Sequence, residues 1–221
     1  MSPSPLDVYR HVIWDWNGTL LDDAWLCVAI MNDCLRRRGL APITHQHYME
    51  VFRFPVREYY LALGFDFTRE SFSVSGTEFI EEYERRKYEC RLQAQAENVL
   101  AFMAQRGLSQ SILSAYRHET LQSFVAHYGL RPFFSNLLGA EDHYADGKRD
   151  NGLRLIRELD VAPQEVVYVG DTAHDFDVAR EIGVDCVLIP SGHSTRAKLE
   201  ACGVPVLDSL GALLNGVPFH P

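Results

Sequence analysis

The sequence predicts a doubly wound α/β core, built on a parallel sheet, with an all-helical domain inserted after the first strand. From residue 96 onward, short apolar runs alternate with segments of helical spacing. This order, with fully apolar strands, is typical of a parallel sheet that helices cover on both faces. Residues 22–92 have helical spacing and no buried-strand run. We therefore expect a core at residues 1–20 and 93–221 and a helical cap at residues 21–92.

The predicted strands follow the apolar runs of the core. They lie at residues 11–14, 111–115, 135–140, 165–171, 185–190 and 204–207. The helices expected between them lie near residues 96–106, 118–129, 149–160, 173–183 and 194–202. Open parallel sheets of this kind bind ligands at the carboxyl ends of their strands.

In the cap, the stretch "DDAWLCVAIMNDCLRRRG" predicts an amphipathic helix that ends at Gly39. The residues expected on its buried face are Trp25, Val28, Met31, Asn32 and Leu35. Pro55 is well placed in the first turn of another helix. The stretch "TEFIEEYERRKYECRL" predicts a further, strongly charged helix.

The charge of the chain argues against several classes of partner. Its 221 residues include 21 Lys and Arg against 30 Asp and Glu, a net charge of −9. Nucleic acid or an anionic membrane would therefore be repelled over most of the surface. The chain has no apolar run near the roughly 18 residues that span a bilayer, and its amino terminus has no leader pattern. We expect a soluble protein, either a monomer or a homodimer.

The cysteines indicate the compartment. There are five, an odd number, and they are widely spread without a CxxC spacing. Neither a disulfide framework nor a zinc site is indicated by this pattern. A reducing cytoplasm is the compartment that we expect.

Polar residues follow four predicted strands at the edge where a parallel sheet binds ligands. Asp15, Ser114 and Asp171 come at or directly after strand ends. Lys148 comes after the loop that follows the predicted strand at residues 135–140. Two carboxylates suit Mg²⁺, which keeps waters and substrate phosphate as its other ligands. A lysine and a hydroxyl can hold the remaining phosphate oxygens. The sequence therefore predicts a magnesium and phosphate site.

Three further residues accompany these strand ends. Asp175 lies one helical turn after Asp171, where an anion is favoured by the helix dipole. Gly18 permits a tight turn close to the phosphate, and Thr19 can bridge the backbone and the substrate. Ser114 has a second interpretation, because serine is also a good N-cap for the helix expected near Arg117.

With these motifs the chain resembles the haloacid dehalogenase superfamily of aspartyl-phosphate hydrolases, in the phosphoglycolate phosphatase-like branch with a helical cap. "DWNGTLLDD" is similar to the family start D-x-D-G-T-[LV]-x-D, and "SILSA" to its strand ending in Ser or Thr. Lys148 matches the family lysine, and "GDTAHD" matches G-D-x-x-x-D. The motifs occur in the family order, over nearly the whole chain. The resemblance implies a Rossmann-like core with an inserted cap.

The resemblance also implies a two-step phosphoryl transfer. Asp15 would attack phosphorus and form an aspartyl phosphate, which water then cleaves. The implied Mg²⁺ ligands are Asp15, the backbone carbonyl of Asn17 and Asp171, with Asp175 bound to the metal or just behind it. The implied phosphate-binding groups are Ser114, Lys148 and the backbone N–H groups near Gly18 and Ala115.

Asn17 departs from the family pattern. The family usually has an aspartate here, which protonates the leaving oxygen and then activates water, and an amide can do neither. Such general acid–base help is typically worth about 10²–10⁴-fold in rate. Three interpretations stay open: slow hydrolysis or a preference for leaving groups that need no proton; transfer of the phosphoryl group to an acceptor other than water; and an engineered Asp-to-Asn trap for crystallography.

Other candidate residues have both a functional and a structural interpretation. His118, His174 and His193 are candidates for the missing base, although histidines near helix starts are more often structural. Arg53 and Arg57 lie in a segment that resembles the specificity region of helical caps and suit a carboxylate or a second phosphate. Such arginines more often form surface ion pairs.

We therefore predict a Mg²⁺-dependent phosphomonoester hydrolase of the haloacid dehalogenase type that acts on a small phosphorylated metabolite. The rate would be lowered by Asn17. The alternative is a non-hydrolytic phosphate-binding or regulatory protein, or a phosphotransferase, on the same scaffold.

Overall fold

The computed structural model describes residues 8–140 and 147–215. Its strands are β1 (His11–Trp14), β2 (Leu21–Asp22), β3 (Arg91–Leu92), β4 (Ser109–Arg117), β5 (Asn136–Ala140), β6 (Val166–Gly170) and β7 (Asp185–Leu188). Five of them form a parallel sheet in the order β5-β4-β1-β6-β7. The predicted parallel α/β core is therefore confirmed.

Helices surround this sheet. The core helices are α5 (Ala96–Gln105), α6 (His118–His127), α7 (Lys148–Glu158), α8 (Ala173–Ile182) and α9 (Arg196–Glu200). The last predicted strand, residues 204–207, is reduced to a single bridge between Leu188 and Val206. Within the described residues, the helices include none that is long and apolar enough to cross a membrane.

The register of the sheet determines where the site forms. Trp14, the last residue of β1, lies opposite Ile112 of β4 and Val169 of β6. The segments that follow β1, β4 and β6 therefore leave the sheet side by side at one edge. This edge carries the residues that the motifs single out.

The strands are buried on both faces, as their apolar sequences predict. Val12 and Trp14 point into one hydrophobic cluster, which includes much of the cap, and Ile13 points into the other, beneath α7 and α8. This alternation follows from the two-residue period of a strand. Burial on both sides makes β1 a rigid base for the residues that follow it.

The inserted region contains α1 (Ala24–Arg37), α2 (His45–Val51), α3 (Val56–Ala62) and α4 (Phe72–Arg86). It is not wholly helical, because β2 and β3 at its two ends form an antiparallel pair. Strands of two residues are too short to give a sequence pattern. The exact domain boundaries at residues 21 and 92 stay predictions. Residues 1–7 and 216–221 of the predicted core lie outside the described residues, and with them the first part of the amino-terminal segment for which no leader is predicted.

The face of α1 is rotated from the prediction. Its buried residues are Ala24, Leu26, Cys27, Ile30, Met31, Cys34 and Leu35. Met31 and Leu35 are among those predicted, but Trp25 is 38% exposed, and Val28 and Asn32 are only half-buried. Cys27 and Cys34 occupy the core positions instead. The prediction was wrong for Trp25, which lies in the first turn of α1, where its indole N–H donates to the Asp22 backbone carbonyl at 3.1 Å.

Candidate active site

Lys148 holds two carboxylates together at the carboxyl edge of the sheet. Its Nζ donates to Asp15 Oδ1 at 2.5 Å and to Asp175 Oδ1 at 2.6 Å. Asp15 directly follows β1, and Asp175 lies in the first turn of α8, after β6. All three side chains are buried. Solvent ions therefore screen these interactions little.

Asp171, directly after β6, lies beside the same group. The hydroxyl of Thr19 is 3.3 Å from Asp15 Oδ2 and 3.2 Å from Asp171 Oδ1. The other oxygen of Asp171 accepts a hydrogen bond from the backbone N–H of His193 at 2.6 Å. Thr19, predicted to bridge the backbone and substrate, here bridges the two carboxylates.

Two glycines allow the backbone to close on Asp171. Gly18 has φ +78°, and a Cβ atom there would lie 2.3 Å from Asp171 Oδ2. A Cβ atom on Gly192 would lie at the same distance from that oxygen. Only glycine fits at Gly18, since both its conformation and the space exclude a side chain. The close approach of the Asp171 carboxylate therefore requires a glycine at position 18, where the tight turn is predicted.

Three carboxylates form a cluster that suits a divalent cation. Oxygen atoms of Asp15, Asp171 and Asp175 lie within 4.8 Å of one another. Burial raises the pKa of Asp171, and the nearby charges of Asp15 and Asp175 raise it further, against an opposing effect of His193. One lysine does not neutralise three buried carboxylates. A hard, oxygen-seeking cation such as Mg²⁺ or another divalent ion fits this donor set.

Asp175 has little free capacity for a metal. Its Oδ2 accepts from Thr172 N at 3.0 Å, Thr172 Oγ1 at 2.7 Å and Asp171 N at 3.2 Å. Its Oδ1 accepts from Lys148 and from the Tyr168 hydroxyl. Burial raises the pKa of Asp175, but Lys148 and Thr172 outweigh burial and hold the pKa below its ordinary value. Asp175 is thus placed to orient Lys148 and the loop of Asp171.

Ser114 and Ala115 lie in β4, beside the cluster. Ser114 is buried, and its hydroxyl accepts a hydrogen bond from the backbone N–H of Tyr116 at 3.0 Å. The next helix, α6, begins only at His118, and Arg117 occupies its N-cap position. The capping interpretation of Ser114 therefore does not hold. Both residues line the same cavity as Asp15.

Asn17 belongs to a buried network that the sequence did not reveal. Its Nδ2 donates to Asp23 Oδ2 at 2.8 Å and to the Tyr83 hydroxyl at 3.0 Å. Tyr83, from α4, in turn donates to Asp23 Oδ2 at 2.7 Å. Asp23 is 1% exposed and also accepts from the backbone N–H of Gly18. The Asp23 carboxylate therefore contacts Asn17, at the position where the family usually has an aspartate.

His193 is the second part of this network. Its Nε2 lies 3.3 Å from Asp23 Oδ1, and its Nδ1 lies 2.7 Å from the Tyr48 hydroxyl of α2. Burial lowers the pKa of His193, but Asp23 above all, then Asp171 and Asp15, raise it to about 9. The imidazolium form is therefore favoured at neutral pH. Of the three candidate histidines, His193 is the one in contact with the carboxylates.

The sequence of residues 12–189 matches the haloacid dehalogenase-like hydrolase family. The chain belongs to this family. The resemblance inferred from the motifs is confirmed, and so is the predicted class of enzyme, a phosphatase of the haloacid dehalogenase type. Members of this class generally use a divalent metal, in agreement with the acidic cluster.

The similarity of this hydrolase to known proteins extends over most of its length. A phosphoglycolate phosphatase from Synechococcus elongatus is 26% identical over 213 residues, which are 94% of this chain and 97% of the relative. The tyrosine-protein kinase PtkA of Mycobacterium tuberculosis is 25% identical over 86% of this chain and 65% of the kinase. A haloacid dehalogenase-like hydrolase from Streptococcus pneumoniae shares the fold, with a TM-score of 0.80, 18% identity and coverage of 95% and 98%.

The other two candidate histidines, His118 and His174, make contacts outside the carboxylate cluster. His118 accepts from the backbone N–H of Gly139 and contacts Gln122. The His174 ring packs at 4.5 Å from the ring of Phe54. These contacts agree with the structural interpretation of both histidines.

The two cap arginines differ in position. Arg57 lines the cavity above the site, and its guanidinium lies 5.0 Å from the centre of the Phe67 ring. Arg53 is exposed and donates to the backbone carbonyl of Val51 at 3.2 Å. It is not among the described residues that line the cavity. The substrate role predicted for either arginine stays a prediction.

Proposed function

We propose that this protein is a Mg²⁺-dependent phosphomonoester hydrolase that acts on a small phosphorylated compound through an aspartyl-phosphate intermediate. The observation that carries the proposal is the placement of Asp15, in contact with Lys148 and within 4.8 Å of Asp171, in the lining of a cavity of about 610 Å³. A cavity of this size accommodates a small organic phosphate. The phosphatase relative from Synechococcus elongatus supports the same class of substrate.

In the first step, a carboxylate oxygen of Asp15 forms a bond to phosphorus as the bond from phosphorus to the ester oxygen breaks. Lys148, in contact with Asp15, would neutralise charge on the transferring group. The Ser114 hydroxyl and the backbone N–H groups near Gly18 and Ala115 would hold the phosphoryl oxygens. A bound Mg²⁺ would supply positive charge that offsets the repulsion between Asp15 and the phosphate. Asp15, Asp171 and the Asn17 carbonyl would hold it.

In the second step, water attacks phosphorus and the bond to the Asp15 oxygen breaks, so that inorganic phosphate and the free carboxylate form. Asp175 keeps Lys148 in position during both steps through its hydrogen bond at 2.6 Å. Asn17 cannot exchange a proton in either step. The rate is therefore expected to be lowest for alcohols that need protonation to leave.

The test is phosphate release from a panel of phosphate esters, with Mg²⁺ or with EDTA, for the native chain and for Asp15→Asn. We expect Mg²⁺-dependent release by the native chain and a loss of about 10³-fold or more in the variant, because a covalent nucleophile is removed. Arg154→Gln, an exposed change on α7 outside the cavity lining, is the control.

Two results would contradict the proposal. Release that is equal in EDTA would exclude the metal-dependent mechanism. A stable phosphoryl group on Asp15 that is passed to an added alcohol, without release to water, would favour the phosphotransferase alternative. The family match, which is to hydrolases, does not favour that alternative.

A further inference from the structure

Aromatic side chains form much of the wall of the cavity above Asp15. Nine Phe and Tyr side chains of the described residues line it, eight from the cap and one, Tyr116, from β4. The cap rings pack against one another: Phe52 lies 5.3 Å from Tyr59 and 5.5 Å from Phe54, in edge-to-face contacts. Tyr48 stacks on Phe52 at 5.1 Å. These mutual contacts fix the rings before a substrate binds, and such a surface favours another aromatic ring.

The charges around the cavity do not provide a buried partner for a second anionic group. Apart from Lys148 at the phosphate end, the described cations that line it are Arg57, Arg117 and His193. Arg57 is exposed, Arg117 forms an ion pair with Glu119, and His193 faces Asp23. A leaving group that carries a carboxylate or a second phosphate would therefore lose solvation in this cavity. Among these described cations only Arg57 has no ion pair, and it is exposed, so that solvent screens its attraction for an anion.

Asn17 adds an independent constraint on the leaving group. Both N–H groups of its amide are directed at Asp23 and Tyr83, and an amide does not donate a proton to a leaving oxygen. Phenols have a pKa of about 10, well below that of alkyl alcohols, and depart as anions without protonation. The chemistry at Asn17 and the aromatic walls thus favour the same kind of ester.

We infer that the preferred substrates of this site are aryl phosphates, phosphate monoesters of phenols, with the aromatic ring held between the cap rings. The inference rests on the proposed function. The Asp15 oxygen forms its bond to phosphorus, the bond from phosphorus to the aryl oxygen breaks, and the electron pair leaves on the phenoxide. The phenoxide takes its proton from solvent after release.

Four esters separate the contribution of the ring from that of the leaving group. Phenyl phosphate has both features, benzyl phosphate has a ring on an alkyl oxygen, cyclohexyl phosphate has the size without the aromaticity, and phosphoglycolate carries a carboxylate. We expect phenyl phosphate to exceed benzyl phosphate in kcat by about 10²-fold, with similar KM values. Benzyl phosphate should have a lower KM than cyclohexyl phosphate or phosphoglycolate.

A variant tests the walls directly. Phe52→Ala should raise the KM for phenyl phosphate about fivefold and leave the inhibition constant of inorganic phosphate unchanged, because the ring contact is lost and the phosphate site is intact. Phe133→Ala, which removes a partly buried ring outside the cavity lining, is the matched control for general destabilisation.

The outcomes also separate this inference from the proposed function. If phosphoglycolate or another aliphatic phosphate has the highest kcat/KM, the preference for aryl phosphates is wrong and the hydrolase stands. If Phe52→Ala and Phe133→Ala raise the KM equally, the walls do not select the ring. If none of the four esters releases phosphate, and neither does the broader panel, the proposed function fails and this inference fails with it.

Discussion

At the scale of single residues, the site combines an amide and a carboxylate in contact. Asn17 and Asp23 are six residues apart in sequence and 2.8 Å apart in space. An aspartate at position 17 alone would face the Asp23 carboxylate at this distance, and two such groups cannot both ionise readily. The two positions therefore have to be considered as a pair.

Exchanging the two side chains should restore the missing acid. In the double variant Asn17→Asp, Asp23→Asn, an amide still faces a carboxylate, and the carboxyl group moves to the position that the family uses. We expect hydrolysis of benzyl phosphate to become about 10²-fold faster, within the range of general acid catalysis. The measurement is kcat for benzyl and phenyl phosphate.

Two comparisons control this experiment. Asp23→Asn alone should give no gain, because it adds no acid at position 17. Phenyl phosphate should gain much less than benzyl phosphate, because its leaving group needs no proton. An equal gain for both esters would mean that the introduced carboxyl group acts in some way other than protonation of the leaving group.

His193 predicts how stability depends on pH in the metal-free protein. Its pKa in the folded state, about 9, is higher than the ordinary 6.5, because the lowering effect of burial is outweighed by the negative charges of Asp23, Asp171 and Asp15. This stabilisation is complete below pH 6.5 and is lost as the pH rises through about 9. We expect the native chain to lose roughly 3 kcal/mol of unfolding free energy relative to His193→Gln over this interval.

Urea unfolding in EDTA at pH 6 and at pH 9.5 gives this difference. His47→Gln, at an exposed position on α2, is the control and should track the native chain. A parallel dependence of the native chain and His193→Gln would show that His193 has the same protonation in the folded and unfolded states.

At the scale of elements, two cap helices contact the catalytic loops directly. Tyr48 of α2 bonds to His193, and Tyr83 of α4 bonds to Asp23 and Asn17. The hydroxyl groups thus link the inserted region to the loops after β1 and β7. The cap both forms the cavity walls and sets the position of the network beneath them.

Removing one of these hydroxyl groups should weaken the whole fold. Tyr83 is buried, and Tyr83→Phe deletes a donor to a carboxylate at 2.7 Å. Hydrogen bonds to charged groups are worth about 1.5–3 kcal/mol. We expect a loss of that size in unfolding free energy by urea denaturation. Tyr88→Phe, at a 49% exposed ring, is the control, and an equal effect in both variants would contradict the link.

The sequence predicts elements better than it predicts contacts between them. The core strands were identified because each is an apolar run, which is a local property. The pairing of β2 with β3 and the buried face of α1 depend on what packs against them. Asp23 shows the same limit: of two adjacent acids, Asp22 is exposed and Asp23 is 1% exposed. One feature of the sequence indicates that Asp23 has a role of its own: it is a second acidic residue directly before α1.

At the scale of the whole molecule, the fold gathers negative charge at one edge of its sheet. Asp15, Asp171 and Asp175 come from segments more than 150 residues apart and meet with one lysine among them. The motifs predicted this meeting, because strand order in a parallel sheet brings strand ends together. The stability of the molecule therefore depends on the positive charge that neutralises these three carboxylates.

Mg²⁺ should raise the thermal midpoint of the native chain. A ligand at 100 times its dissociation constant adds about 2.7 kcal/mol to the unfolding free energy. Asp171→Asn should abolish this shift. In EDTA at pH 8 the same variant should be more stable than the native chain, because burial raises the pKa of Asp171 and its ionised form is costly.

Calorimetry with and without Mg²⁺ makes both measurements. Asp150→Asn, at an exposed side chain, is the control and should keep the full shift. A native chain with no Mg²⁺ shift, or an Asp171→Asn variant that is less stable in EDTA, would mean that the cluster is already neutralised within the protein.

The short strands β2 and β3 have a consequence for movement. The chain enters the cap through β2 and leaves it through β3, and the two are paired, Leu21 with Leu92 and Asp22 with Arg91. Gln93, just beyond, bonds to the Gly18 and Ser191 carbonyls of the core. Because both crossings are fastened side by side, they can bend only together. The paired strands β2 and β3 would then form a single hinge, about which the cap would rotate as one body.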